Sequence, residues 1–210
     1  MIGAPYEAQA GIPALKPVRP RERIVTTLEF EMVYHVAGPM LQLCLLLARE
    51  AGLRHKTILD ITAAQCNFQA STVSGRSKAY STYNVPMTDR LRDRLLWACA
   101  GATDQHEPLL CQYNRERKKP HYNSLTTALV RAKRLAGLSK RGQKTGWQGW
   151  GFHDLRRTAA RELYERTKDI RKVQRFLGHA SPNQSWWYLG NGAQDLTRED
   201  LEQPKQEGAA

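Results

Sequence analysis

The sequence predicts a mainly α-helical (α+β) fold in which one small antiparallel β-ribbon interrupts a series of helices. Segments with a capping residue and apolar residues at helical spacing recur along most of the chain. Residues 67–87 are instead rich in Thr, Val, Ser and Tyr around a glycine, which is typical of two paired strands. The 210 residues are 41% hydrophobic, enough for one domain with a substantial core.

The elements of the first half follow a lead-in, residues 1–23, whose prolines and lack of periodicity indicate a flexible linker. Thr26 can cap the first helix, Pro39 suits the first turn of the second, and Gly52 can end it. The predicted elements are helices over 26–38, 38–52 and 54–62, then the ribbon over 67–87 with its turn at 75–81.

The second half predicts further helices separated by loops. Gly137 and Gly178 can end helices, and Ser181 with Pro182 suits the start of a short last one. The predicted helices cover 88–101, 124–137, 153–167, 168–178 and a segment from 182, with a loop through Pro108 and another over 138–151. We therefore expect one domain over residues 24–190 and a polar C-terminal tail over 191–210.

Composition excludes several classes of protein. The longest apolar run, residues 40–48, is far too short to span a membrane, and the N-terminal residues do not form a secretory signal. The four cysteines, at 44, 66, 99 and 111, lack zinc-site or disulfide-framework spacing. We expect reduced thiols in a cytoplasmic protein.

The positive charge of the chain, +12 at neutral pH, is concentrated in one segment. Residues 111–180 contain 18 Lys and Arg against 5 Asp and Glu, whereas residues 1–110 contain 12 against 10 and residues 181–210 contain 2 against 5. A concentrated basic surface favours a polyanionic partner, most often nucleic acid, over a merely solvated face.

Two histidine-containing motifs could carry chemistry. His153 and Arg156 share a face at a predicted helix start, where free backbone N–H groups favour a phosphate. His179 and Tyr188 flank the corner between the last two predicted helices, which could bring both rings to one concave site. Each motif alone also fits a structural role, as a surface pair or as part of a buried Trp-Trp-Tyr cluster in which a tryptophan anchors the last helix.

Two cations elsewhere are ambiguous in the same way. Arg54 directly follows the helix that ends at Gly52, and Lys78 lies on the predicted ribbon. A capping arginine and a solvated hairpin lysine are the ordinary interpretations.

In combination, however, these residues resemble the catalytic domain of the tyrosine recombinases, the phage-integrase family. The resemblance runs from about residue 24 to 190, and every position of the family's pattern is filled. The matching residues are Arg54 in "AGLR", Lys78 eight residues before the proline of "NVP", His153 and Arg156 in "HDLRR", His179 in "LGH", and Tyr188 nine residues later.

The resemblance implies an enzyme that breaks and rejoins DNA strands through a 3′-phosphotyrosyl intermediate. Tyr188 would be the nucleophile, Arg54 and Arg156 would hold the phosphate oxygens, and Lys78 would protonate the departing 5′ oxygen.

The two histidines complete the implied site. His153 would assist proton transfer at the tyrosine, and His179 would donate a hydrogen bond to the phosphate. No metal or nucleotide cofactor is implied.

The implied partner is double-stranded DNA, on which the protein would self-associate into a tetrameric synapse, and the resemblance therefore implies association with the nucleoid. Basic residues would contact the DNA backbone in a salt-sensitive manner. The residues expected to do so are Arg76, Lys118, Lys119, Lys140, Arg141, Lys144 and Arg157.

Two alternatives stay open. A type IB topoisomerase uses the same kinds of residue to relax DNA, and a truncated non-catalytic relative would only bind it. About 23 residues precede the first helix, fewer than the separate DNA-binding domain that family members commonly carry. A fragment, a minimal recombinase or a truncated relative would each explain this.

Overall fold

The computed structural model describes residues 23–76, 82–113, 122–138 and 149–190, and it confirms a mainly helical fold with one small antiparallel sheet. The helices are α1 (Thr27–Val36), α2 (Pro39–Arg49), α3 (His55–Leu59), α4 (Asp89–Ala100), α5 (Leu109–Tyr113), α6 (Tyr122–Leu135), α7 (Phe152–Thr167), α8 (Ile170–Leu177) and α9 (Pro182–Leu189). The strands, in sheet order, are β1 (Cys66–Asn67), β2 (Thr72–Arg76) and β3 (Thr82–Pro86).

Helix α2 forms the centre of the core. Every residue from Met40 to Ala48 is buried, and the helix packs against both α7 and α4. A helix that is apolar on all sides needs neighbours on all sides. Helix α7, which carries His153 and Arg156, is therefore held against the most buried element of the fold.

The chain enters the domain along α7. The backbone N–H of Val25 donates to Thr158 Oγ1 at 2.9 Å, and Val25 itself is buried. Thr26 then caps α1, as predicted, in a reciprocal arrangement with the carboxylate of Glu29. The entry segment is thus fixed to the helix that supplies the candidate site.

The sheet agrees with the predicted ribbon and adds one strand. Strands β2 and β3 pair antiparallel from Thr72 opposite Pro86 to Arg76 opposite Thr82, and β1 pairs with the other edge of β2. The predicted turn falls mostly on residues 77–81, which lie outside the described residues.

The main differences from prediction lie between α4 and α6. Helix α5 occupies part of a predicted loop, because Leu109 and Cys111 turn into the protein interior and are buried. Helix α6 begins at Tyr122 rather than at residue 124. Within the described ranges, no helix is long and apolar enough to cross a lipid bilayer.

Candidate active site

Arg54 lies at the start of α3, directly after the turn that ends α2. Gly52 makes this turn with φ at +59°, and the ring of Phe176 fills the place where a Cβ would lie. The turn directs the chain so that Arg54 lines a cavity of about 500 Å³ together with His153 and Arg156. Arg54 is exposed and therefore accessible to a ligand in this cavity.

Arg156 is buried and braces two elements of the site. One guanidinium nitrogen, Nη1, donates to the carbonyl oxygen of Gly52, and Nη2 donates to that of Leu177 at 2.6 Å. The side chain is 3% exposed, and burial lowers the pKa of Arg156 to about 10, so the guanidinium remains charged at neutral pH. One arginine therefore connects the turn after α2 to the end of α8.

His153 lies in the first turn of α7 with its ring edge-on to Tyr188. The two ring centroids are 5.2 Å apart. Partial burial lowers the pKa of His153, and the positive charges of Arg157 and Arg156 lower it further. The ring is therefore neutral at neutral pH and able to accept a proton.

His179 follows the end of α8, where Gly178 adopts a left-handed conformation. The N–H of His179 bonds to the carbonyl of Gln174, which completes the helix end and fixes the backbone at the histidine. Its Nδ1 lies 3.0 Å from Oγ of Ser185. Burial, together with the charges of Arg156 and Arg54, lowers the pKa of His179 to about 4.

Tyr188 lies between the two histidines. Its ring centroid is 5.5 Å from that of His179, also edge-on, and its hydroxyl donates to the carbonyl oxygen of His153 at 3.3 Å. Burial raises the pKa of Tyr188, while the charges of Arg156 and Arg157 oppose this rise. The phenol is therefore protonated at neutral pH.

Arg157, which was predicted to contact the DNA backbone, is buried beside Tyr188. It is only 5% exposed, and its guanidinium carbon lies 5.2 Å from the ring centroid of Tyr188. Its Nε is buried and has no hydrogen-bond partner among the described residues. Charge counting treats every arginine of a basic segment as surface, whereas the packing of α9 covers this one.

The other predicted residues cannot all be placed. Arg76 ends β2 and is exposed. Outside the described residues lie Lys78, Lys118, Lys119, Lys140, Arg141 and Lys144.

The structure therefore brings together a phenol, two imidazoles, the exposed guanidinium group of Arg54 and the buried guanidinium group of Arg156. Guanidinium groups bind phosphate oxygens through paired N–H donors. The part of the chain that the structure describes contains no group of three His, Cys, Asp or Glu residues suited to a metal ion. The arrangement suits a phosphodiester ligand next to a tyrosine hydroxyl.

Comparison with known proteins agrees with this geometry. Residues 23–194 match the phage integrase family. The chain belongs to this family. It is also 30% identical over 118 residues to the probable integrase/recombinase YoeC of Bacillus subtilis (strain 168). The aligned region covers 49% of this chain and 64% of that relative.

Solved structures show that the fold is an integrase-family fold. The XerA recombinase superposes with a TM-score of 0.65 at 19% identity, over 92% of this chain and 64% of that one. A lambda integrase dimer bound to a COC′ core site superposes with a TM-score of 0.62 at 21% identity, over 83% of this chain and 49% of that one. The catalytic domain of bacteriophage HP1 integrase superposes with a TM-score of 0.53 at 15% identity, over 90% of this chain and 100% of that one.

The sequence analysis missed one further residue of the candidate site. Ser185 is fully buried in α9 and bonds to His179. The available signal was its spacing, because residues three apart on a helix share a face and Ser185 precedes Tyr188 by three.

Proposed function

We propose that residues 24–190 form the catalytic domain of a site-specific DNA recombinase. One observation carries the proposal: Tyr188 lies between two neutral imidazoles and beside cationic guanidinium groups. Two of these neighbours, His153 and Arg156, line the adjacent cavity that we assign to a phosphodiester. Membership of the phage integrase family and the integrase fold support it.

The proposed first step is an attack of Tyr188 Oη on the phosphorus of a DNA strand. A bond forms between tyrosine and the 3′ phosphate, the bond to the 5′ oxygen breaks, and its electron pair leaves on that oxygen. Arg54 and Arg156 stabilise the charge on the non-bridging oxygens. Rejoining reverses the step, with a 5′ hydroxyl of the same or another strand displacing the tyrosine.

Two protons move in this step. His153 takes the phenolic proton, because its lowered pKa leaves the ring neutral and its ring contacts that of Tyr188. Lys78, which belongs to the segment joining β2 to β3, supplies the proton to the departing 5′ oxygen. Its assignment rests on the sequence pattern.

We further propose that neither a metal nor a nucleotide cofactor takes part. The guanidinium groups supply the positive charge that a metal would otherwise supply, and the phosphotyrosyl bond conserves the energy needed for rejoining. Exchange of strands between two duplexes requires four such sites, so a tetramer on nucleoid DNA is the proposed assembly.

The experiment is covalent capture on a pool of nicked duplexes with randomised sequence around the nick. After cleavage the short strand beyond the nick diffuses away, so the phosphotyrosyl adduct accumulates and survives denaturation. We expect wild-type protein to form an adduct in the presence of a chelator and Tyr188→Phe to form none. Sequencing of the captured DNA then gives the target site.

Three outcomes separate the alternatives. Adduct with recombination between two captured sites supports the recombinase. Adduct with relaxation of a supercoiled plasmid but without two-site recombination indicates a topoisomerase-like enzyme. DNA binding by folded protein without any adduct indicates a non-catalytic relative and contradicts the proposal.

A further inference from the structure

A buried serine contacts the second histidine of the site. Ser185 has an exposure of 0%, and its Oγ lies 3.0 Å from Nδ1 of His179. Helix α9 begins at Pro182, so Ser185 lies one turn before Tyr188 on the same face. His179 therefore contacts both residues, through a ring nitrogen to the serine and through its ring to the tyrosine.

The hydrogen bond between Ser185 and His179 can be oriented in two ways. A neutral imidazole carries a single N–H, so the partner of one nitrogen decides whether the other nitrogen is a donor or an acceptor. If the serine hydroxyl donates to Nδ1, the proton of His179 lies on Nε2. If Nδ1–H donates to the serine, Nε2 presents a lone pair.

The two orientations differ in whether the buried hydroxyl of Ser185 finds an acceptor for its proton. Thr158 and Thr167 each give their hydroxyl proton to a helix carbonyl one turn earlier, but Ser185 makes no such bond. Among the described residues, His179 is the one hydrogen-bond partner of the Ser185 hydroxyl. If Nδ1 donated, the proton of a fully buried hydroxyl would lack an acceptor, which is unfavourable. If the serine donates, every buried group of the pair is satisfied.

We propose that Ser185 is a positioning residue that donates to Nδ1 of His179 and thereby keeps the imidazole proton on Nε2, where it can donate to the scissile phosphate. The use of this proton on a phosphate rests on the proposed function. An Nε2 lone pair would instead repel an anionic oxygen held by Arg156 and Arg54. The lowered pKa of His179 supports the inference, because a neutral ring has a tautomer to choose.

The tautomer can be measured without DNA. Nitrogen NMR of ¹⁵N-histidine-labelled full-length chain near neutral pH distinguishes protonated from unprotonated ring nitrogens, and His179→Gln identifies the signals of this residue. We expect the Nε2–H form in wild type and in Ser185→Thr, and a mixed or Nδ1–H form in Ser185→Ala. An Nδ1–H form in wild type would overturn the proposal, as would identical spectra for wild type and Ser185→Ala.

A kinetic cycle tests the consequence for the reaction. In single-turnover adduct formation, we expect Ser185→Ala to slow cleavage by about threefold to tenfold, the effect of one hydrogen bond, and Ser185→Thr to restore most of the rate. In a His179→Ala background, Ser185→Ala should have no further effect. An equal slowing in both backgrounds would show a merely structural role. If no variant forms an adduct, the proposed function fails while the NMR result still decides the tautomer.

Discussion

The guanidinium of Arg157 lies over the ring of Tyr188, with 5.2 Å between its central carbon and the ring centroid. A cation over an aromatic face is attracted by the electron density of the ring, and it also favours the phenolate over the phenol. Because Arg157 is 5% exposed, water screens this interaction weakly. Arg157 thus both packs α9 onto α7 and opposes the rise in the pKa of Tyr188 that burial causes.

We expect Arg157→Ala to shift the pH dependence of adduct formation to higher pH. Loss of the charge raises the pKa of Tyr188 further, so less phenolate is available near neutral pH. The rate there should fall by about threefold to thirtyfold, which corresponds to one partly buried cation–π contact. The rate of Arg157→Lys should lie between those of wild type and Arg157→Ala. The measurement is the single-turnover rate across the pH range in which the protein stays folded.

Arg161→Ala is the matched control for this shift. Arg161 is also on α7, but it is exposed and pairs with Glu165 one turn away. An exposed pair of this kind contributes little, so the pH profile should match that of wild type. Superimposable profiles for wild type and Arg157→Ala would contradict the role given to Arg157.

Arg54 and Arg156, the two arginines that we propose hold the phosphate, should respond differently to lysine. Arg156→Lys loses at least one of the bonds to the carbonyls of Gly52 and Leu177, so we expect a loss of about 1–3 kcal/mol in the free energy of unfolding. Arg54 is exposed, so Arg54→Lys should leave stability within about 0.5 kcal/mol. Both variants should slow adduct formation, because a lysine cannot hold two phosphate oxygens with a planar fork.

Denaturant unfolding and single-turnover cleavage, measured on the same preparations, check this pair. Equal stability of the two lysine variants would show that the bracing contacts of Arg156 are unimportant to the fold.

The part of the candidate site that could be predicted from the sequence is the part that local signals determine. Gly52, Gly178 and Pro182 mark the chain turns that precede Arg54, His179 and Tyr188, and glycine and proline are the residues that such turns need. Five of the six residues in the family pattern do lie around one site, and the sixth, Lys78, is outside the described residues.

What the sequence could not show depends on contacts between distant segments. The burial of Arg157 results from α9 packing over α7, and the bond between Ser185 and His179 depends on the corner between α8 and α9. Helix α5 was missed for a related reason: five residues are too few for a helical period, and tertiary burial of Leu109 and Cys111 stabilises the segment instead.

We expect Gly52→Ala to destabilise the fold and the site together. At φ of +59° an alanine is strained, and its Cβ would overlap the ring of Phe176. The free energy of unfolding should fall by about 2–4 kcal/mol. Gly101→Ala is the control, because its φ is −88° and the nearest atom to an added Cβ is 3.8 Å away. Equal unfolding midpoints of these two variants would contradict the argument.

The histidines should make stability depend on pH in a defined direction. The pKa of His179 is lowered to about 4, whereas an unfolded histidine titrates near 6.5. Between these values the unfolded chain binds more protons than the folded one, so acidification favours unfolding. The stabilising contribution is complete above about pH 6.5 and is lost as the pH falls toward 4. His153, whose pKa is also lowered, acts in the same direction.

The size of this effect can be isolated by substitution. Because the ring of His179 is only partly buried, we expect a loss of about 1 kcal/mol between pH 6.5 and pH 5, less than full linkage would give. Carboxylates titrate mostly below this window, so they add little to the change. His179→Gln should make the curve of unfolding free energy against pH shallower, and His153 accounts for part of the slope that remains. The opposite result, a wild-type curve that is level or rises toward pH 5, would show that folding does not lower the pKa of His179.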